Sequence, residues 1–427
     1  MSLLVMLAAM LAMIAIDVPI GVALGLVAVA AMTLTWGPHV IPNISLTLMD
    51  SATNFTLIAI PLFILAGAIM NTGGISRRLL AFVSSLVGFV RGGLAMVTIG
   101  SSMLLAEISG SAVAGVAALG SILIPAMRKR GYPAPFAAAV TSSASTLAVV
   151  IPPSLPMILY AVMSGSSVVE LFVAGIVPGV VGGLLMMATA YWIARRRGYP
   201  VEDAFDWKRV AASFKDAAWA LLLPLIVLGG IFSGWVTATE GAGLAVLAAL
   251  LIGGLVYREL DWPRLRKAMI SGGIQTAVVM LLVTTSGLLG DYLTQVQAPQ
   301  RFAATLMDVT SDRWAILGLL NIFFLLIGMF LHSAAAIILV VPIVMPLVNA
   351  AGIDPVHFGL IVTLNLAVGQ QTPPVASVLV TACSVAKTDI WDVTRENVWF
   401  IAVLLFVLLL MTYVPALPMS LVSFFYR

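Results

Sequence analysis

Apolar stretches recur along the chain from end to end, separated by short polar connectors. Each runs to roughly 20 residues, the length a helix needs to cross a bilayer. Short segments of strict alternation, the mark of a membrane β-barrel, are not evident. The pattern predicts an all-α polytopic membrane protein. Two stretches disturb it. LAVVIPPSLP (147–156) and AVGQQTPPVA (367–376) place prolines inside apolar runs. Proline lacks an N–H and clashes with the preceding turn, so neither run can continue as one helix.

Composition supports the pattern. Of 427 residues, 61% are hydrophobic and 9% charged, with a mean hydropathy of +1.12; soluble domains carry about 25% charged residues. The net charge of +3 is spread over short clusters between apolar runs, which points to a lipid bilayer as surroundings and away from nucleic acid. The opening segment has no preceding basic residues and reads as a retained helix rather than a secretory signal. The lone cysteine, Cys383, excludes an intramolecular disulfide and reads as a small packing residue. No HExxH, GxSxG or phosphate loop occurs. The reading is therefore not an enzyme, and not a pump powered by its own ATPase.

The basic clusters set orientation. Arg128-Lys129-Arg130, Arg195-Arg196-Arg197 with Lys208, Arg209 and Lys215, and Arg258 through Lys267 all belong on the cytoplasmic side. Two apolar helices fit between each of the later pairs. Between Arg91 and Arg128 lie two shorter arms joined at 107–111. A re-entrant hairpin satisfies these charges, as two tilted spans also would. Residues 75–90 then form an interfacial arm helix.

Landmarks repeat at one spacing. Ser111 and Ser333 are 222 residues apart, Pro125 and Pro346 are 221, and Gly131-Tyr132-Pro133 precedes Ile353-Asp354-Pro355 by 222. Pro152-Pro153 and Pro373-Pro374 are 221 apart. Asp17-Val18-Pro19 aligns with Thr239-Glu240-Gly241. The chain divides into repeats at 1–216 and 217–427, and the charges make the copies inverted. Each holds about five spans. Re-entrant hairpins fall near 91–130 and 313–349, broken helices near 133–164 and 355–386, and both termini are expected outside. Inverted repeats with paired broken helices are the architecture of secondary transporters, with binding near the midplane.

The breaks concentrate chemistry. Freed backbone groups at membrane depth are tolerated only inside protein or along a cavity. Freed carbonyls and hydroxyls are hard oxygen ligands suited to Na⁺, whereas helix N-termini suit a carboxylate. The first break supplies Ser142, Ser143, Ser145, Thr146 and Ser154, facing Ser109 and Ser111 at the hairpin tip. The second supplies Thr363, Asn365, Gln370, Gln371 and Thr372, facing Ser333. Glu107 is a carboxylate within the first hairpin, where charge is costly; it and His332 are possible coupling or tuning groups. Asp17, Glu240 and Asp354 read as helix caps, and His39 and His357 as loop or interface residues.

These stretches resemble the large membrane subunit of tripartite ATP-independent periplasmic (TRAP) transporters. The matching segments are AIPLFILAGAIMNTGGISRRL, RGGLAM, ISGSAVAGVAALGSILIPAMRKRGYPAPFAAAVTSSAST with IPPSLPMILYA, LGGIFSGWVTATEGA, and HFGLIVTLNLAVGQQTPPVA. They keep family order across nearly the whole chain. The resemblance implies a Na⁺-coupled, elevator-type importer in a bacterial inner membrane. It also implies a small four-helix membrane subunit and a periplasmic substrate-binding protein as partners, and a small organic acid as cargo. By position it places Na⁺ at Ser109, Ser111, Ser142, Ser143, Ser333, Asn365, Gly369 and Thr372. Substrate falls at Ser145, Pro152, Ser154, Gln370 and Pro373. Gly115, Ala148-Val149, His332 and Gln370-Gln371 depart from the family's usual residues, and these departures bear on substrate identity. A stand-alone Na⁺ or H⁺ carboxylate symporter is the alternative within transport.

Overall fold

The computed structural model of the chain describes residues 3–16, 18–109, 111–199, 201 and 204–426; the side chains of 3, 4, 7, 11, 14, 15, 106–109 and 309 fall outside that description. Among the described residues there is no strand, and helices follow one another throughout. The first half runs α1 (Leu3–Ala15), α2 (Ile20–Trp36), α3 (Ile41–Ala52), α4 (Ala59–Thr72) and α5 (Ile75–Val87). A hairpin of α6 (Gly93–Ser109) and α7 (Ala112–Lys129) follows, then the interrupted pair α8 (Ala134–Thr146) and α9 (Leu155–Ser164), and α10 (Val168–Arg196). The second half opens with α11 (Trp207–Phe232), α12 (Ala238–Leu251), α13 (Trp262–Gln295) and α14 (Ala298–Val309). Its hairpin is α15 (Arg313–Phe330) and α16 (Ser333–Ala350), its interrupted pair α17 (Pro355–Gly369) and α18 (Ser377–Ala386), followed by α19 (Ile390–Tyr413) and α20 (Ala416–Tyr426).

Among the described residues, nine helices are long and apolar enough to cross a membrane, where the sequence predicts about ten spans and shorter hairpin arms. The interrupted spans are divided into pieces of 10 to 15 residues, and α1 and α2 have only 13 and 17. Conversely α7, α15 and α16 each reach 18 residues, about 27 Å at 1.5 Å per residue. The division placed at 216/217 falls inside α11, which starts at Trp207 behind an Asp206 cap. Helices α3, α14 and α20 lie outside the sequence expectation.

The caps are specific. Asp354 accepts from the N–H of Val356 and His357 at 2.8 and 3.1 Å, with Pro355 at the first helical position. Glu240 is not the cap of α12. Thr237 is, and Glu240 sits three residues on, completing a reciprocal capping box. Asp17 lies outside the described residues. His357 is not a loop residue: it is buried in α17, with its Nε2 2.8 Å from the Met411 carbonyl. His39 is exposed in a short 3₁₀ turn.

Two packing groups emerge. Helix α4 packs on α12 and α13, α13 also packs on α2, and α5 lies along α11. Arg78 of α5 fixes that arm: it pairs with Asp216 at 3.0 Å and Glu259 at 2.8 Å and lies over the Tyr257 ring. The other group joins each hairpin to the interrupted helices, α7 to α8 and α18, α16 to α9, and α15 to α17. Helix α10 backs the first interruption closely. A Cβ on Gly175 would stand 2.4 Å from the Val150 carbonyl oxygen, so only glycine admits this approach. At one end of α8, Tyr132, Phe136, Tyr199 and Phe400 cluster beside the Arg197–Glu396 pair at 2.8 Å, tying α8, α10 and α19 together.

Candidate functional site

The first interruption is sealed. Helix α8 ends at Thr146 and tightens into a 3₁₀ turn at Leu147–Val149, after which Pro152-Pro153 is a cis pair. Ser154 caps α9, donating to the Val149 carbonyl at 2.6 Å and accepting from the Met157 N–H at 3.4 Å. Ser142, Ser143 and Thr146 are wholly buried. Their partners come from far along the chain. The Ser142 hydroxyl donates to Gln371 Oε1 at 2.7 Å, and Asn397 Nδ2 donates to the same oxygen at 3.0 Å. Ser143 donates to Asn397 Oδ1 at 2.5 Å, and Gln371 Nε2 donates to Thr146 Oγ1 at 3.1 Å. Gln371 belongs to the second interruption, so one amide joins the two halves.

The second interruption is built differently. Pro373-Pro374 is again cis, but Pro373 is half-buried and Pro374 and Val375 are exposed. The Asn365 amide donates to Asn321 Oδ1 at 2.6 Å and to the Ile361 carbonyl at 2.9 Å, and Asn321 donates to Thr412 at 3.3 Å. Asn365 Oδ1, Gln370 Oε1 and Ser377 Oγ are buried without a hydrogen-bond partner. A buried oxygen left unpaired costs about 1–3 kcal/mol. Three at one break are a donor set that suits a hard cation. Hairpin tip and break touch here: Ala376 N–H donates to the Met329 carbonyl at 3.2 Å. A Cβ on Gly369 would lie 2.6 Å from the Gly328 backbone. Gly369 therefore has a packing reason to be glycine.

The remaining predicted residues fall as follows. Ser111 caps α7 by position, without a side-chain cap bond. Ser333 opens α16 and is buried, and His332 precedes it as the cap, Nδ1 accepting from Ala334 N–H at 3.4 Å. Thr372 donates to the Val368 carbonyl at 3.1 Å. Pro152 is buried beside Ser154. The side chains of Glu107 and Ser109 lie outside the described residues. Ser145 is buried with an unpartnered hydroxyl and lines a cavity of about 280 Å³ between α5, the first hairpin and the first break. Sequence reasoning did not single out Asn321, Asn397, Ser377 or Ser102, which also lines that cavity. Asn321 sits inside an otherwise apolar stretch of α15, a signal in itself, whereas Asn397 follows Asp392, Arg395 and Glu396 in the polar first turns of α19 and gives none.

Helical hairpins seated on paired interrupted helices, with polar groups at the breaks, define a multi-pass membrane transporter. Residues 7–417 match the family described as the tripartite ATP-independent periplasmic transporter, DctM component. The chain belongs to that family, which consists of transporter permeases rather than enzymes. It is 41% identical over 406 residues to the isethionate TRAP transporter permease protein DctMQ of Oleidesulfovibrio alaskensis, covering 95% of this chain and 64% of that protein's length. It is 36% identical to the C4-dicarboxylate TRAP transporter large permease protein DctM of Pseudomonas aeruginosa, over 92% of each chain. The same identity, over 98% of each, relates it to the 2,3-diketo-L-gulonate TRAP transporter large permease protein YiaN of Escherichia coli. A crystal structure of the YdaH transporter of Alcanivorax borkumensis shares the fold, with a TM-score of 0.66 over 90% of both chains at 15% identity.

Proposed function

We propose that this chain is the large transmembrane subunit of a TRAP transporter that imports a small organic acid across a bacterial inner membrane, coupled to Na⁺. A periplasmic binding protein delivers the acid, and a small four-helix membrane subunit accompanies the chain. The observation that supports Na⁺ is the set of unpartnered buried oxygens on Asn365, Gln370 and Ser377. The relatives' cargoes, isethionate, C4-dicarboxylates and 2,3-diketo-L-gulonate, are small acids.

In this reading the second break is the ion's side-chain site. Amide and hydroxyl oxygens replace its hydration shell, and occupancy removes the cost of leaving them unpaired. Ser142 and Ser143 serve chiefly to hold the first break against Gln371 and Asn397. The hairpins and interrupted helices form a body that moves as an elevator against a scaffold of α1–α5 and α11–α14, and the two halves are inverted copies.

Uptake of a radiolabelled organic acid into proteoliposomes holding both membrane subunits, with binding protein outside, tests the proposal. An inward Na⁺ gradient should drive accumulation, and an equal K⁺ gradient should not. Accumulation indifferent to Na⁺ would overturn the coupling. Accumulation without the binding protein would instead favour a stand-alone symporter.

A further inference from the structure

The cavity beside the first hairpin bears on the cargo's chemistry, on the footing of the transport reading above. Its polar lining comprises Asn71, Ser76, Arg77, Ser102 and Ser145, against an apolar wall that includes Leu105 and Leu119. We propose that this chamber is a substrate site selecting a small organic monoanion that carries a hydroxyl group. The anionic head lies on Arg77 and the hydroxyl on Ser102 and Ser145.

Three observations converge. First, Ser102 and Ser145 come from different elements, α6 and α8, and are 3% and 2% exposed. Both hydroxyls lack a partner. An unpaired buried hydroxyl is costly, and two lining one chamber point to a ligand that satisfies them. Each serine hydroxyl both donates and accepts, so a ligand hydroxyl matches the pair. Second, Arg77 uses Nη2 for Glu259 at 2.7 Å, its Nη1 and Nε make no further hydrogen bond to the chain, and its side chain is 70% exposed at the chamber's edge. The guanidinium thus keeps donors for a carboxylate or sulfonate. No residue among those described along the chamber is acidic.

Third, the chamber offers one cation, and Glu259 already neutralises part of its charge, so a single anionic group is the most it can hold. Lys267 lines a separate, smaller cavity of about 160 Å³, and Asn71 is the lining residue the two have in common. A second anionic group inside the chamber would face the leucine and alanine wall, where burial of an unpaired charge is prohibitive. A volume of about 280 Å³ falls just below the usual range of ligand pockets, about 300–1,000 Å³, which suits a small ligand.

The serine variants make clean probes. Removing a hydroxyl that has no partner leaves no group unsatisfied, so Ser102→Ala and Ser145→Ala should melt at or above the wild-type temperature. The experiment is calorimetric titration of the purified full chain in detergent, with NaCl. Matched probes are 2-hydroxyethanesulfonate against ethanesulfonate and glycolate against acetate, with succinate as the dianion. The hydroxylated probe should bind at least about tenfold more tightly than its deoxy partner, the effect of one well-made hydrogen bond to a buried group. Ser102→Ala and Ser145→Ala should each bring that ratio within about threefold while leaving deoxy affinity unchanged. Arg77→Gln should weaken both members of a pair, and Arg77→Lys should restore part of the loss.

Equal affinities within the pairs, a ratio that survives Ser102→Ala, tighter binding of succinate than of any monoanion, or no binding of any probe would each overturn the proposal. Repeating the titration in choline chloride separates it from the coupling claim. A hydroxyl preference that persists without Na⁺ keeps the chamber and removes Na⁺ coupling, whereas Na⁺-dependent binding without the preference does the reverse.

Discussion

The two interrupted helices start from one sequence device, a Pro-Pro pair in an apolar run, and differ in how their polar groups are used. Around the first, Ser142, Ser143 and Thr146 are bonded through Gln371 and Asn397 into one network, and only the Ser145 hydroxyl, turned to the neighbouring chamber, is left over. Around the second, three buried oxygens have no partner. The difference shows that proline creates only the opportunity. What the neighbouring amides do decides whether a break becomes a fixed joint or a binding site. Gln370 and Gln371 are adjacent, yet Gln370 Oε1 stays free while both ends of the Gln371 amide are engaged across the halves.

The contrast can be broken at several points. The largest loss is expected for Gln371→Leu, which strips partners from Ser142, Thr146 and Asn397 at once. With each unpaired group worth about 1–3 kcal/mol, thermal melting of the purified protein should drop by several degrees, and the rise on adding Na⁺ should survive. Gly369→Ala comes next, because its Cβ would stand 2.6 Å from the Gly328 backbone. Overpacking of this kind costs about 1–3 kcal/mol, and transport should fall along with melting temperature. Asn365→Ala removes one of the free oxygens and also leaves Asn321 Oδ1 without its donor. Na⁺-dependent uptake should weaken about tenfold, with a destabilisation of about 1–3 kcal/mol. The smallest effect belongs to Thr237→Ala, far from both breaks. Loss of that cap costs about 0.5–2 kcal/mol, and Na⁺ dependence measured in the same uptake assay should not change.

Much of this layout was legible in the sequence. The all-helical, multi-pass character shows in the apolar runs, and helix ends such as those at Thr146, Lys129 and Gly369 sit near prolines, glycines and basic clusters, local signals that act on local backbone. Helices α3, α14 and α20 escaped because they run to only 12, 12 and 11 residues, too short to register as spans. The start of α11 at Trp207, ahead of residue 217, has a related reason. Its first turns, carrying Lys208, Arg209 and Lys215, read as a polar connector though they are helical.

Within the site, the sequence marked the enriched hydroxyls and amides but not their pairing. Ser143 meets Asn397 across 254 residues, and Ser142 meets Gln371 across 229. No spacing rule connects such positions; only tertiary packing does. For the same reason the sequence could not tell which oxygens would be left over. Neither Ser377 nor Ser102 carries a local mark that its hydroxyl is left unpaired. His357 was misplaced because a single histidine near a loop carries no sign that its ring reaches the Met411 carbonyl.

The most direct test compares equilibrium binding of ²²Na⁺ to the purified full chain with that of its Ser377→Ala and Ser142→Ala variants. The expected result is saturable binding that K⁺ does not displace. Ser377→Ala should weaken it about five- to tenfold without lowering the melting temperature, since the hydroxyl it removes has no protein partner. Ser142→Ala should lower the melting temperature and leave Na⁺ affinity intact. Unchanged affinity in Ser377→Ala together with lost affinity in Ser142→Ala would place the ion at the first break and contradict the assignment.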